Sequence, residues 1–256
     1  MNNFQLEQII NQKLNTQAIN DYAPNGLQVE GKAEIKKIIT GVTASLALID
    51  YAIEQNADAI LVHHGYFWKS ENPCIRGMKG ERIKRLLVND INLYGYHLPL
   101  DIHPELGNNA LLAKLLGIEN LQPLEQGLSS IPMWGRLIQP VSVQEFSQRI
   151  TQRLGKTPLT CEVEKFNKNA PHFIQKIGIC TGGGQGYIDL AYAQGCDAFI
   201  SGEISEQTTH SAREQGIHYF ACGHHATERC GIKALGEWLA NEYGFEVEFV
   251  DIDNPA

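Results

Sequence analysis

The chain has 256 residues, a formal net charge of −8, 43% hydrophobic residues and 20% charged residues. This composition is typical of a globular protein with one large domain or two small ones. The acidic balance argues against tight non-specific nucleic-acid binding, which requires a basic surface. No apolar run reaches the roughly 18 residues of a membrane span, and no secretory signal is recognised at the N-terminus. We therefore expect a cytoplasmic protein that does not enter membranes.

The first half of the chain predicts a strand, a helix and a second strand before a pair of histidines. The stretch 37–43 is typical of a strand, 46–53 of a helix, and 57–62 of a short buried strand. The second strand leads directly into His63 and His64. Because successive side chains of a strand point to opposite faces, the chain must turn here for both to bind one ion, or each must bind its own ion. The alternative is one core histidine and one solvent-exposed histidine.

A histidine precedes a carboxylate by four positions at two places, His97 with Asp101 and His224 with Glu228. Imidazole and carboxylate groups together bind zinc, iron, manganese and nickel. At this spacing on a helix, the two side chains share one face, with Cβ atoms about 5–6 Å apart. A lone pair of this kind is more often a surface helix pair. Its recurrence at equivalent places favours a metal site.

The chain shows an internal repeat. A predicted strand at 176–182, a helix at 188–193 and a strand at 196–201 follow the order of the first half. Six identities share one register, in which Lys176 lies 139 positions after Lys37 (176 − 37). The histidine and acidic pairs align at 127 positions (224 − 97), so the first copy contains an insertion, which we place at 66–84.

The alternation of strands and helices predicts an α/β fold with parallel-rich sheets. We predict two similar α/β domains from the repeat, with a metal site in the cleft between them, because ligands of such folds lie at the carboxyl ends of strands. A strand at 135–140 and a helix at 142–150, capped by Ser142, are predicted in the connecting region. The predicted segments are a first domain (1–125), a second domain (126–221), and a metal-ligand segment with the C-terminal helix (222–256).

The candidate metal ligands outnumber those of one tetrahedral ion. They are His63, His64, Asp101, His224 and Glu228, with His97 as a further possibility. Such a set suits two divalent ions, iron, zinc, manganese or nickel, about 3.5–4 Å apart and sharing a bridging carboxylate and a water.

Other residues have a functional and a structural interpretation. Glu203 aligns with His64 and is a candidate general acid or base, although a solvated glutamate has nearly the same pattern. The glycine-rich stretch 182–186 is a candidate anion cradle or a tight structural turn. Trp68 is a candidate for stacking a base, or a packing residue. His103, His172 and His218 have no carboxylate four positions after them, unlike His97 and His224. We interpret these three histidines as structural.

Five short motifs resemble the family of GTP cyclohydrolase 1 type 2 homologues, the NGG-interacting-factor-three-like proteins. The motifs lie at 25–29, 62–65, 97–101, 202–203 and 223–228, in the family's order. The resemblance implies two similar α/β domains, a dinuclear metal site and a ring-like hexamer. It implies the same five ligands, with His97 as a further ligand or a substrate contact.

Two function hypotheses follow. The first is a dinuclear metal-dependent hydrolase that uses metal-activated water, with a purine nucleotide as the candidate substrate through the resemblance. His97 or Glu203 would move protons. The second is a non-enzymatic metal-handling or regulatory protein with the same ligands. An open coordination position distinguishes the enzyme from the binding protein.

Overall fold

The computed structural model describes residues 1–125 and 130–256. The chain divides into two compact units. The first unit comprises Met1–Leu106 and Arg229–Asp253, and the second comprises Gly107–Glu228 and Asn254–Ala256. Each unit contains one sheet, so the predicted α/β class is confirmed. No helix in the described ranges is long and apolar enough to cross a membrane.

The elements alternate along much of the chain. The described α-helices are α1 (Asn3–Leu14), α2 (Leu46–Glu54), α3 (Gly77–Val88), α4 (Leu98–Ile102), α5 (Asn108–Leu116), α6 (Val143–Leu154), α7 (Ile188–Ala193), α8 (Glu206–Gln215) and α9 (His224–Tyr243). The described strands are β1 (Gly26–Val29), β2 (Lys37–Thr43), β3 (Ala59–His64), β4 (Asn92–Gly95), β5 (Ile118–Pro123), β6 (Met133–Ser142), β7 (Leu159–Thr160), β8 (Phe173–Cys180), β9 (Ala198–Ser201), β10 (His218–Ala221) and β11 (Glu246–Phe249). Short 3-10 turns occur at Thr16–Ala18, Val163–Lys165 and Gln185–Tyr187.

The first unit is built on a sheet with the strand order β1-β4-β3-β2-β11. β11, β2, β3 and β4 are parallel to their neighbours, and β1 joins β4 in the antiparallel direction. Both faces of the sheet are covered, because successive strand residues enter different core clusters. Ile38 packs in one cluster with Leu6 and Leu235, whereas Ile39 packs in another with Leu48. This burial of both faces explains the continuous apolar runs in the sequence.

The second unit has the strand order β5-β6-β8-β9-β10-β7. Its parallel part is β8, β9 and β10, and antiparallel strands extend the sheet on both sides. The faces are again buried in separate clusters. Ile200 packs with Phe146, whereas Phe199 packs with Ala191.

Two helices set the bounds of the units. α5 contributes Leu112 and Leu116 to a core cluster of the second unit, and α9 contributes Ile232 and Leu235 to a core cluster of the first. The bounds of the two units therefore differ from those of the predicted segments 1–125, 126–221 and 222–256. The assignment of these segments as domains stays a prediction. The boundary at 126 lies outside the described residues.

The connecting region folds as its sequence pattern indicates. The predicted strand at 135–140 lies within β6, and the predicted helix is α6. The Ser142 side chain accepts a hydrogen bond from the backbone of Glu145, whose side chain accepts from the backbone of Ser142. This reciprocal capping box satisfies amides that the first helical turn leaves without partners.

One aspartate in each unit holds the start of the parallel strands in the same way. Its Oδ2 accepts hydrogen bonds from two successive backbone amides of the neighbouring strand segment. The bonds run from Lys36 N and Lys37 N to Asp58 at 2.8 and 2.9 Å, and from Gln175 N and Lys176 N to Asp197 at 2.9 and 2.8 Å. The two sets are related by the 139-position register found in the sequence.

The units differ in the connection that follows this shared frame. In the first unit, residues 65–76 join β3 to α3, whereas residues 202–205 join β9 to α8 in the second. The extra residues of the first unit lie in a loop within the stretch 66–84, where the sequence places an insertion.

We predict that Asp58→Ala and Asp197→Ala each lower the free energy of unfolding by about 2 kcal/mol. The reason is the loss of two hydrogen bonds to a charged acceptor, which leaves backbone amides at the strand without their partners. Chemical denaturation followed by circular dichroism measures the effect.

Glu54→Ala is the matched control, because Glu54 is an exposed residue at the end of α2. Its effect is expected to remain within about 0.5 kcal/mol. Aspartate variants as stable as this control would contradict the role assigned to the two carboxylates.

Candidate metal centre

His63 is the buried member of the histidine pair at the end of β3, with 1% of its surface exposed. Its Nδ1 lies 2.9 Å from the carbonyl oxygen of Tyr96, so Nδ1 carries the proton and donates it to that oxygen. The Nε2 atom lies 3.4 Å from Oδ1 of Asp101. The strand end thus orients an imidazole nitrogen beside a buried carboxylate.

His64 lies close to His63, although the two are consecutive. Their ring centroids are 4.5 Å apart, and Nδ1 of His64 lies 3.3 Å from Oγ1 of Thr43. The strand β3 ends at His64, and Gly65 follows it. A Cβ atom on Gly65 would lie 2.1 Å from Oε1 of Gln28, so the Gln28 side chain packs directly against this glycine.

His97 is placed by the segment before β1 rather than by its own helix. Its backbone amide donates to Oδ1 of Asn25 at 2.8 Å, and its Nδ1 lies 2.9 Å from Oδ1 of Asp21. The backbone amide of Leu98 donates to the other oxygen of Asp21 at 2.8 Å. Asp21 therefore holds both the ring and the backbone at the start of α4.

Asp21 is ionised in this environment. Burial by itself raises the pKa of its carboxyl, but hydrogen bonds from His97 and Asn25 outweigh it and lower the pKa to about 2. A carboxylate that accepts from one ring nitrogen of a histidine leaves the other nitrogen as the electron-pair donor. This is the arrangement that carboxylates adopt behind metal-binding histidines.

The first unit brings three imidazoles together. His63, His64 and His97 each offer a nitrogen within 4.8 Å of the other two. Asp101 adds a carboxylate beside His63. Neutral imidazoles and carboxylates suit a divalent transition ion, so these residues fit a metal.

The second unit places His224 between two carboxylates. Its Nε2 lies 3.2 Å from Oε2 of Glu228, one turn along α9, and its Nδ1 lies 2.7 Å from Oε1 of Glu203. Burial lowers the pKa of His224, but the two carboxylates outweigh burial and raise it to about 9. The predicted pair of His224 and Glu228 is thus in contact, and Glu203, which follows β9, joins it.

The glycine-rich stretch 182–186 forms a structural turn. The amide of Gly182 donates to Oγ1 of Thr227 at 3.0 Å, and the amide of Gly184 donates to Oγ of Ser201 at 3.0 Å. These two amides are therefore used within the protein and do not cradle an anion. A Cβ atom on Gly182 would lie 2.1 Å from Oε1 of Glu228, which explains the need for glycine beside the ligand candidates.

The sequence interpretation missed the supporting residues Asp21, Asn25 and Gln28. Asn25 and Gln28 belong to a motif that signalled the family resemblance, although their roles were not apparent. The Oε1 atom of Gln28 accepts a hydrogen bond from the amide of Tyr66 at 2.7 Å. The side chain of Gln28 also lies against Gly65, at the position that a Cβ atom would take. No spacing signal links Asp21 to His97, because 76 positions separate them.

Two histidines outside the site have structural hydrogen bonds. Nε2 of His103 lies 3.1 Å from the carbonyl oxygen of Lys13, and Nε2 of His218 lies 2.8 Å from that of Pro171. His172 is exposed in the loop before β8. These positions agree with the structural interpretation of all three.

Comparison with known proteins supports the resemblance over the whole chain. A protein named GTP cyclohydrolase 1 type 2 homolog from Haemophilus influenzae is 75% identical over 100% of both chains. A protein with the same name from Escherichia coli is 59% identical, again over 100% of both chains.

Solved structures have the same fold. A protein described as ybgI, of unknown function, is 58% identical with a TM-score of 0.95 and covers 100% of both chains. Reduced HcgD from Methanocaldococcus jannaschii is 26% identical with a TM-score of 0.83, over 99% of this chain and 98% of its own. The model of the Duf34/NIF3 (NGG1p interacting factor 3) family matches residues 1–255. This chain therefore belongs to the Duf34/NIF3 family.

Proposed function

We propose that this protein is a dinuclear metal-dependent hydrolase. The observation that carries the proposal is the group of three imidazoles, His63, His64 and His97, whose nitrogens lie within 4.8 Å of one another. Buried imidazoles and carboxylates in such density are typical of metal and catalytic sites, because burying several polar groups is otherwise costly. The proposed ligands are His63, His64, Asp101, His224 and Glu228.

The proposed ligands form two donor groups, one in each unit. Each unit offers a donor group with a different composition: imidazoles predominate in the first unit, and carboxylates flank His224 in the second. The full set exceeds the four ligands of one tetrahedral ion, which supports two ions of iron, zinc, manganese or nickel. We propose that an internal duplication produced the two units. The equivalent bonds of Asp58 and Asp197 and the 139-position register support this origin.

The proposed chemistry is hydrolysis of a purine nucleotide. Two divalent ions, when bound, supply a water of lowered pKa as the nucleophile. Glu203 is the proposed general acid or base, since its carboxylate is partly exposed and bonds to His224. Asp21 orients His97 by fixing the proton on Nδ1. The substrate class rests on the name of the close relatives, GTP cyclohydrolase 1 type 2 homolog.

We expect purified protein to bind close to two transition ions per chain, and Asp101→Ala and His224→Ala to lose most of them. If His97 is a ligand, Asp21→Asn is expected to weaken metal binding by roughly tenfold to a hundredfold, because it no longer fixes the ring of His97. Elemental analysis after dialysis against a metal buffer measures the content and the affinity.

His172→Ala is the matched control, because it removes an exposed histidine from a loop and is expected to keep the wild-type metal content. His97→Ala separates the two roles of that residue. Loss of metal makes His97 a ligand, whereas full metal with reduced turnover makes it a substrate contact. Equal metal content in all variants would refute the ligand assignment.

We predict that metal-loaded protein hydrolyses a purine nucleotide and that Glu228→Gln lowers turnover by at least about a hundredfold. The substitution retains the size of the side chain and removes the charge that a metal ligand requires. Turnover is measured by chromatography of GTP and related nucleotides, with and without chelator. Metal-replete protein that hydrolyses no nucleotide, cyclic amide or phosphoester would favour the metal-handling alternative.

We also propose a homohexamer, the assembly that the family resemblance implies. Light scattering is expected to give six times the 28.5 kDa mass of the chain. A monomeric mass at micromolar concentration would exclude the hexamer. Cytoplasmic location stays a prediction from the sequence.

A further inference from the structure

We propose that Tyr22 and Trp68 form a stacking site for the planar nitrogen heterocycle of a substrate, beside the histidine group of the first unit. The assignment of this ring to a substrate rests on the proposed function. The stacking itself depends only on residues of the first unit and can be measured without turnover.

The two aromatic rings lie against the histidines. The centroid of Trp68 is 4.9 Å from that of His97 and 5.9 Å from that of His64. The centroid of Tyr22 is 5.0 Å from that of His97. A ring bound on this aromatic pair is therefore next to two candidate metal ligands.

The geometry of the pair determines how a ligand ring binds. The centroids of Tyr22 and Trp68 are 5.8 Å apart, with an angle of 37° between the rings. A ring inserted between them requires two spacings of about 3.5 Å, which exceeds this distance. A planar ligand thus stacks on the outer surface of the pair and contacts one or both rings. Stacking of this kind accepts any flat π system, so it selects a heterocycle without defining its hydrogen-bond pattern.

Trp68 is held by a strained and braced turn. Phe67 has a φ of 65°, which is rare for a bulky residue and is typical of functional segments that the surrounding structure holds in place. The amides of Phe67 and Trp68 donate to Oε2 of Glu71 at 2.8 and 3.2 Å. Lys79 lies 3.2 Å from the same oxygen and 4.7 Å from the centroid of the Phe67 ring.

The loop is anchored in the core by a different aromatic residue. Tyr66 is 5% exposed, and its hydroxyl donates to the carbonyl oxygen of Ala44 at 2.7 Å. Phe67 packs against the same core cluster. Trp68 instead contacts the rings of the site, and Tyr22 is 54% exposed. Tyr66 and Phe67 thus secure the loop, and Trp68 and the 54% exposed Tyr22 lie beside the histidines, where a ligand ring would contact them.

Trp68 belongs to a connection that is longer in the first unit than in the second. Trp68 lies in the 65–76 connection, whose counterpart in the second unit is the shorter 202–205 connection. The two units share their parallel strands, yet only the first has this longer connection with its braced tryptophan. This difference indicates a role specific to the first unit.

The test is a calorimetric titration of full-length, zinc-loaded protein with inosine, which has a purine ring and no phosphate to bind metal. Ribose is the probe without a ring. We expect inosine to bind and ribose not to bind. Trp68→Ala and Tyr22→Ala are each expected to weaken inosine binding by roughly tenfold to a hundredfold, whereas Trp68→Phe retains much of the affinity.

Phe4→Ala is the matched control, because Phe4 is a 50% exposed aromatic residue on α1 of the same unit. It is expected to bind inosine as the wild type does. Wild-type affinity in Trp68→Ala and Tyr22→Ala would overturn the stacking site, as would equal binding of ribose or no inosine binding by the wild type at millimolar concentration. Thermal melting verifies that each variant folds. If Trp68→Ala does not fold, the inosine affinity of Tyr22→Ala, which changes an exposed residue, provides the test.

Nucleotide turnover by the metal-loaded protein, measured beside the same titration, distinguishes the two proposals. Inosine binding by metal-loaded protein that hydrolyses no nucleotide leaves the stacking site intact and rejects the hydrolase. Nucleotide hydrolysis that is unchanged in Trp68→Ala and Tyr22→Ala, with no inosine binding, rejects the stacking site and leaves the hydrolase intact.

Discussion

Parallel pairing of strands is the constraint on which the candidate site depends. In a parallel sheet, neighbouring strands finish at the same edge, so residues that are distant in sequence become neighbours there. In the first unit, His63 lies near the end of β3 and His97 follows β4. In the second unit, Gly182, Glu203 and His224 follow β8, β9 and β10. The polar residues of each unit therefore meet at one edge of its sheet.

The polar residues at this edge require local support because they are buried. His63, Asp101 and Glu228 are each at most 5% exposed. Burying a polar or charged group is costly unless it has partners. The carbonyl oxygen of Tyr96 supplies one for His63, and Asp21 supplies one for His97. Glycines at the turns allow these side chains to approach the backbone, as the contact between Gly182 and Glu228 illustrates.

The two units resemble each other in one backbone-binding aspartate and differ in the side chains at the ends of their strands. Asp58 and Asp197 bind the neighbouring strand segment alike. His64 is the last residue of β3 in the first unit, and Glu203, 139 positions later, follows β9 in the second. The long connection after β3 also carries Trp68 beside the imidazoles. Imidazole and aromatic groups thus lie at the strand ends of the first unit, whereas carboxylates flank His224 in the second.

The sequence by itself determined the features that depend on neighbouring residues. Short apolar runs indicated β3 and β9, the serine at 142 indicated the start of α6, and the four-residue spacing indicated the contact of His224 with Glu228. These features are local, because strand burial, helix capping and i,i+4 contacts act over one or two turns of chain.

Only the tertiary structure decided which distant segments meet. It assigned α5 to the core of the second unit and most of α9 to that of the first, since their apolar faces fit sheets that lie elsewhere in the sequence. It also placed Asp21 against His97 and the ring of His64 beside that of His63. Such contacts depend on how the chain returns across a sheet, and hydrophobic periodicity contains no information on that return.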